Sequence, residues 1–130
     1  MFIERLLNQD GVPALEQMLH FTAARHRLIA QNVVNISTPG YQQKDLSLEK
    51  FQKMLAERLS QGSSADPASF DDMAAELATP RGGILFHDGQ TRSMEQLMSD
   101  QAKNALMHNL AIELLRRQFQ TMETALKERL

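Results

Sequence analysis

Four histidines are the first residues in this 130-residue chain that invite a chemical reading. A metal site on a helix needs ligands about one turn apart, as in HxxxH or HExxH. His20 and His26 are six apart, about 600° around a helix, and so lie on different faces. His87 stands beside Asp88 in a loop-like stretch, and His108 falls within an apolar helical row. Two seam histidines with a polar edge, His26 and His108, are the better reading than zinc. Ser63, Ser64 and Ser69 lack the strand–turn–helix context of a nucleophile elbow. Gly82-Gly83 has neither the lysine nor the following helix of a phosphate loop. Asp71 and Asp72 are neighbours, point apart, and read as charges at a helix start. There is no cysteine, which excludes disulfides and thiol chemistry. Nothing forms a catalytic set, so the chain is expected to be no enzyme and to use no cofactor, metal or small-molecule substrate.

A different constellation remains: Asn32 and Asn35, three apart, followed by Thr38-Pro39-Gly40-Tyr41. Pro39 disfavours helix for the residue before it. Pro39 and Gly40 are the residues a type II turn needs at its two central places. Asn35 can take a left-handed cap conformation or bond the last free carbonyls. The two asparagines share one side of the last helical turn. As buried groups they would need partners, expected among the backbone groups of the Thr38–Tyr41 turn or in a neighbouring subunit.

The elements that would hold this corner are helical. Residues 2–7 carry a short helix-like pattern, and Pro13 suits a first turn. Leu15, Leu19, Thr22, His26, Ile29, Val33 and Ile36 step by four and three, beside a second row of Ala14, Met18, Phe21, Arg25, Leu28, Asn32 and Asn35. Such alternating steps mark a coiled-coil seam, and two adjacent rows predict more than one partner. In the last third Met94, Met98, Gln101, Ala105, His108, Ile112, Leu115, Phe119, Met122 and Leu126 repeat the pattern. Ser93 and Gln96 are spaced as a capping box. The expected single elongated domain, 1–130, has an N-terminal helix over 12–36, a turn and extended segment over 37–47, a variable middle over 48–90 and a C-terminal helix over 91–130. Within the middle, a helix is predicted over 48–60, a linker over 61–67, a small helix from Ser69 to Leu77 and a short strand over 84–86. The fold class is all-α: two long heptad helices packed as an antiparallel, coiled-coil-like pair with a partly irregular middle. Lone helix pairs bury little, so folding should be coupled to assembly.

Composition limits the partners. Net charge is −2, which disfavours phosphate-driven nucleic-acid binding. No apolar run nears the ~20 residues of a membrane span, and no cleavable secretory signal is visible at Met1-Phe2-Ile3-Glu4-Arg5.

The run Asn32-x-x-Asn35-x-x-Thr38-Pro39-Gly40-Tyr41 at the end of a heptad helix resembles the N-terminal motif of the bacterial flagellar axial proteins of rod and hook. Six fixed residues recur by chance at on the order of 10⁻⁸ per start position, given ordinary residue frequencies. Ala30-Gln31 and Lys44-Asp45 extend the match. Asp88-Gly89-Gln90 and Asn104-Ala105-Leu106 are similar to the family's C-terminal segment. The short length and the lack of a large insert look most like the B-type proximal-rod subunit, from whose pattern Val33-Val34, Ser37 and Gln42-Gln43 depart. The resemblance implies a structural subunit of the flagellar basal body. Its turn residues would be Asn32, Asn35, Thr38, Pro39, Gly40 and Tyr41. Its assembly seams would be Leu15, Leu19, Leu28, Ile29, Val33, Asn104, Ile112, Leu115, Phe119, Met122 and Leu126. It further implies export by the flagellar type III apparatus without a cleaved signal, and a place in the periplasm-spanning drive shaft. Implied partners are copies of itself, other rod subunits, the ring–rod junction protein and the export gate. Competing readings are another proximal-rod subunit and, outside the family, a cytosolic helical adaptor or chaperone.

Overall fold

The structure is a computed structural model and describes residues 11–60, 78–80 and 93–129. The expectations for residues 2–7, 61–77 and 84–90 lie outside those described. The elements are α1 (Val12–Val34), β1 (Lys44–Leu46), α2 (Leu48–Ser60), β2 (Ala78–Pro80) and α3 (Met94–Glu128).

Helix α1 starts at Gly11, whose φ of 84° suits a residue without a side chain. Pro13 sits in its first turn, as its missing N–H allows. The helix ends at Val34, two residues before the predicted Ile36. Helix α2 begins where the sequence places it, and Ser47 starts it in a way the pattern did not reveal: the Lys50 N–H donates to Ser47 Oγ at 3.4 Å. Helix α3 begins at Met94 with Ser93 in the N-cap place, yet Ser93 makes no side-chain cap bond. The expected capping box is therefore not closed by its hydroxyl; Ser93 gives α3 only the ordinary first helical bond, its carbonyl accepting the Leu97 N–H.

The two long helices run antiparallel, tied by Thr22 to Asn104 and His108 and by His26 to Gln101. That register brings Leu97 level with Ile29, both fully buried. It also sets residue 114 of α3 level with the start of α1. The remaining turns of α3, to Glu128, run on for about 20 Å at 1.5 Å per residue.

The buried row of α3 is Leu97, Asn104 and Ala111. The predicted row named Met98, Ala105 and Ile112, one position later. Both rows satisfy the three-four spacing. The small Ala111 and the amide of Asn104, which donates to the Thr22 carbonyl at 2.8 Å, select the first. The shared members Gln101 and His108 border the contact, Leu115 lies at its end and Met122 stands beyond the start of α1, each partly exposed.

The other side of α1 carries a second core. Phe21 stacks on Phe51 with ring centroids 4.2 Å apart at 16°, and Leu46 completes the cluster. Ala24, Leu28, Leu48, Met54 and Leu55 pack around it. Burying one such aromatic contributes roughly 1.5–3 kcal/mol, with about 0.5–1.5 kcal/mol more from the ring pair. Thus α1 uses both of its apolar rows, one against α3 and one against α2 and β1.

The β1–β2 pairing is antiparallel, with Lys44 opposite Pro80, Asp45 opposite Thr79 and Leu46 opposite Ala78. Residues 78–80 follow the predicted small helix, which ends at Leu77; they form a strand that the sequence pattern did not predict. Pro80 is tolerated because the Lys44 N–H and C=O both turn toward α1. That makes Lys44–Pro80 a pair without ladder bonds, where proline removes nothing.

Candidate functional site

The corner that follows α1 is built on two side-chain amides, of Asn32 and Asn35, and two hydroxyls, of Thr38 and Tyr41. Asn32 is fully buried. Its Nδ2 donates to the Lys44 carbonyl at 2.6 Å, and its Oδ1 accepts the Lys44 N–H at 3.2 Å. Tyr41 donates its phenolic O–H to the same Oδ1 at 3.2 Å. One helix side chain thus engages a strand residue as a neighbouring strand would, through both of its backbone groups. A carboxamide can do this because it carries a donor and an acceptor side by side.

Asn35 works at shorter range. Its backbone N–H and its Nδ2 both donate to the Gln31 carbonyl, at 3.0 and 2.9 Å. Its Oδ1 accepts the Thr38 hydroxyl at 3.2 Å. Its φ is −96°, so of the two cap modes open to it the carbonyl-bonding one is used, not the left-handed one. Asn32 braces the chain just beyond the turn, and Asn35 holds the turn to the helix end. Pro39 and Gly40 lie between the Thr38 carbonyl and the Tyr41 N–H, which bond at 3.3 Å. Gly40 has φ of 74°, the conformation its position in a type II turn demands. Thr38, Pro39 and Gly40 are exposed at the tip.

A residue pair that spacing could not reveal locks β1 to α1. Arg25 Nε donates to Asp45 Oδ1 at 3.0 Å, and its terminal nitrogen donates to Oδ2 at 2.9 Å. Asp45 Oδ1 also accepts the Leu46 N–H at 2.8 Å. The hydrogen bond to Asp45 raises the Arg25 pKa against the opposing effect of burial, and the charges of Asp45 and Asp100 raise it further. Of these two carboxylates, Asp100 belongs to α3.

The remaining seam residues divide into three groups. Ile29 and Asn104 are buried between α1 and α3, and Leu28 packs in the Phe21 cluster. Leu15, Leu19, Val33, Leu115 and Met122 are partly exposed. Ile112, Phe119 and Leu126 are 40, 46 and 42% exposed and make no part of the buried contact between the helices. They lie in one row beside it.

The two seam histidines have polar neighbours. Thr22 Oγ1 donates to the Met18 carbonyl at 2.9 Å, leaving its oxygen for His108 Nδ1 at 2.7 Å. Gln101 Nε2 reaches His26 Nδ1 at 3.3 Å. No group of three metal-ligating residues occurs among the described residues, and no described helix is long and apolar enough to cross a membrane. What the geometry can do is mechanical: hold a sharp corner rigid and present apolar helix faces.

No family model matches the chain. Several curated proteins do resemble it over most of their length. The flagellar basal body rod protein FlgB of Escherichia coli (strain K12) is 25% identical over 123 residues, 86% of this chain and 89% of that protein. FlgB of Aquifex aeolicus (strain VF5) is 24% identical over 119 residues, 92% and 94% of the two chains. FlgB of Yersinia ruckeri is 25% identical over 131 residues, 92% and 96%. These similarities support the FlgB-type rod family, as the asparagine–turn motif does.

Proposed function

We propose that the chain is a structural, non-catalytic subunit of the proximal rod of the bacterial flagellar basal body. It assembles there through its two long helices into the shaft that carries torque from motor to hook. The observation that carries this reading is the apolar row Met98, Ile112, Phe119 and Leu126, 40–46% exposed along one side of α3. A helix pair that has buried its own seam still offers a contiguous apolar strip. Such strips mark interaction surfaces, and the relatives named rod proteins supply the kind of assembly. The braced corner fits the same role. A stiff turn between helix and strand fixes where each subunit's surface stands relative to the next.

On this reading the turn residues Asn32, Asn35, Thr38, Pro39, Gly40 and Tyr41 set the corner, and the half-exposed seam residues meet neighbouring subunits. The partners are other copies and other rod subunits, with the ring–rod junction protein and the export gate at the base. The chain reaches the periplasmic rod through the flagellar export apparatus. The test is to tag the full chain in its own cells and purify basal bodies. Enrichment with the rod, with paralysis on deletion, is the expected result. A tag confined to the cytosol, with motility unchanged on deletion, would overturn the proposal and favour an adaptor or chaperone.

A further inference from the structure

Two rows of α3 keep the same heptad spacing, and the buried one is the less apolar. It consists of Leu97, Asn104 and Ala111. One position later stand Met98, Ala105 and Ile112, with Met98 and Ile112 46 and 40% exposed. Turning α3 by one residue, about 100° with a shift of about 1.5 Å, would exchange the rows. Met98 would take the place of Leu97, Ala105 that of Asn104, and Ile112 that of Ala111. Leu106, 70% exposed, would take the place of Ala105, which with Ala23 borders a groove of about 340 Å³. Ile112 needs more room than Ala111, but it would meet the first turns of α1, where Leu15 is partly exposed and the pair can widen. By apolar side chain removed from water, the turned arrangement is the better of the two.

What opposes the turn is polar and centres on one residue of α1. Thr22 is fully buried. Its carbonyl accepts the Asn104 Nδ2–H at 2.8 Å, and its hydroxyl oxygen lies 2.7 Å from His108 Nδ1. Ala105 in the place of Asn104 could make no such bond. The grip is not one that packing would choose: Asn104 Oδ1 is buried and meets no donor among the described residues, and an unmet buried acceptor is destabilising. A single polar residue in a helical seam fixes register at the expense of stability. We propose that Asn104 is a rotation latch. Through Thr22 it holds α3 in the less apolar of two available rotations, and so keeps Met98, Ile112, Phe119 and Leu126 outward. Asn104 is a positioning residue: it acts on the setting of the helix, through a hydrogen bond within one molecule. The latch does not depend on the rod-subunit reading or on what meets the outward row.

Thiol protection in the purified full chain, kept dilute, tests it. The chain has no cysteine of its own, so Ala111→Cys and Ala105→Cys, made separately, place one thiol on the buried row or on the outward row. Both changes are small, and cysteine behaves as a small hydrophobe. The readout is the rate of alkylation by iodoacetamide, divided by the rate of the same thiol in urea. With Asn104 in place, the thiol at 111 should be protected and the thiol at 105 should react freely. With Asn104→Ala added, α3 should turn and the order should invert, while helix content by circular dichroism is kept. A residue that only added stability would instead let both thiols react faster together. That result with helix content kept, or an order unchanged from the parent, overturns the proposal. A thiol at 111 that is unprotected beside Asn104 overturns it as well. If Asn104→Ala loses helix content, the latch is moved rather than removed: Asn104→Ala with Ala105→Asn offers Thr22 the same amide from the other row. Read with Ala111→Cys and Met98→Cys, that double variant should free 111 and protect 98. Protection still at 111, or at neither position, refutes the latch. The rod reading is judged separately, by basal-body enrichment of the wild type, and neither result decides the other.

Discussion

Replacing Asn32 by alanine removes both bonds to the Lys44 backbone and the one from Tyr41. The Tyr41 hydroxyl is at a partly exposed residue and can turn to water. The two Lys44 bonds are the loss that counts. A typical hydrogen bond contributes about 1 kcal/mol net, so the corner should weaken by about 2 kcal/mol. A tenfold change corresponds to 1.4 kcal/mol, so about 2 kcal/mol is an increase of about 30-fold in local opening. The assay is residue-resolved amide hydrogen exchange on the full chain, read at Lys44, whose N–H would lose its acceptor. Asn35→Ala is the control: it should remove the Thr38 hydroxyl's bond to Oδ1 and one of the two bonds to the Gln31 carbonyl, while leaving Lys44 exchange within about threefold of wild type. Asn32→Asp tests the donor. The carboxylate keeps an acceptor for the Lys44 N–H but faces the Lys44 carbonyl with oxygen and buries a charge. It should open the corner at least as much as alanine does. Unchanged Lys44 exchange in Asn32→Ala would refute the bracing role.

Arg25→Lys keeps a positive charge but loses the two-pronged grip on Asp45; urea unfolding should show a loss of about 1–2 kcal/mol, because ammonium cannot match the planar fork. Gly40→Ala meets no atom within 4 Å of the added methyl. Its cost is therefore conformational, about 1–2 kcal/mol for a left-handed backbone, and should appear as a lower thermal midpoint without loss of helix content.

The parts of the fold that were legible in the sequence were those written in local chemistry. Pro13 and Gly11 open α1, Pro39 and Gly40 turn the chain, and the step of three and four marks α3 over its whole length. The antiparallel pairing of the long helices followed from their broad apolar faces. The register of α3 did not. Two adjacent rows obey the same spacing, and choosing between them depends on how closely Ala111 lets the helices approach and on Asn104 finding the Thr22 carbonyl. Those are facts about two helices together. The ribbon was hidden for a similar reason: three residues at 44–46 meet three at 78–80, too short for periodicity and too distant for a turn signal. Arg25 and Asp45 stand 20 residues apart, and each alone reads as a surface charge. The asparagines were visible as a motif, but their partners are not the expected backbone groups of the Thr38–Tyr41 turn: they are the Lys44 and Gln31 backbones and the Thr38 and Tyr41 hydroxyls. Asn32 chose a strand residue three places past the turn, which only the folded corner makes a neighbour.

On the outer edge of strand β1 both N–H groups, of Lys44 and Leu46, are taken. Thr79 faces Asp45 on one side. On the other, Asn32 takes both backbone groups of Lys44, and the Asp45 carboxylate takes the Leu46 N–H. An open edge is a template for adventitious strand pairing and aggregation. In this chain that template is blanked by side chains belonging to the corner itself. On the proposed assembly, the exposed helix faces are offered without a free N–H on the outer edge of β1 beside them.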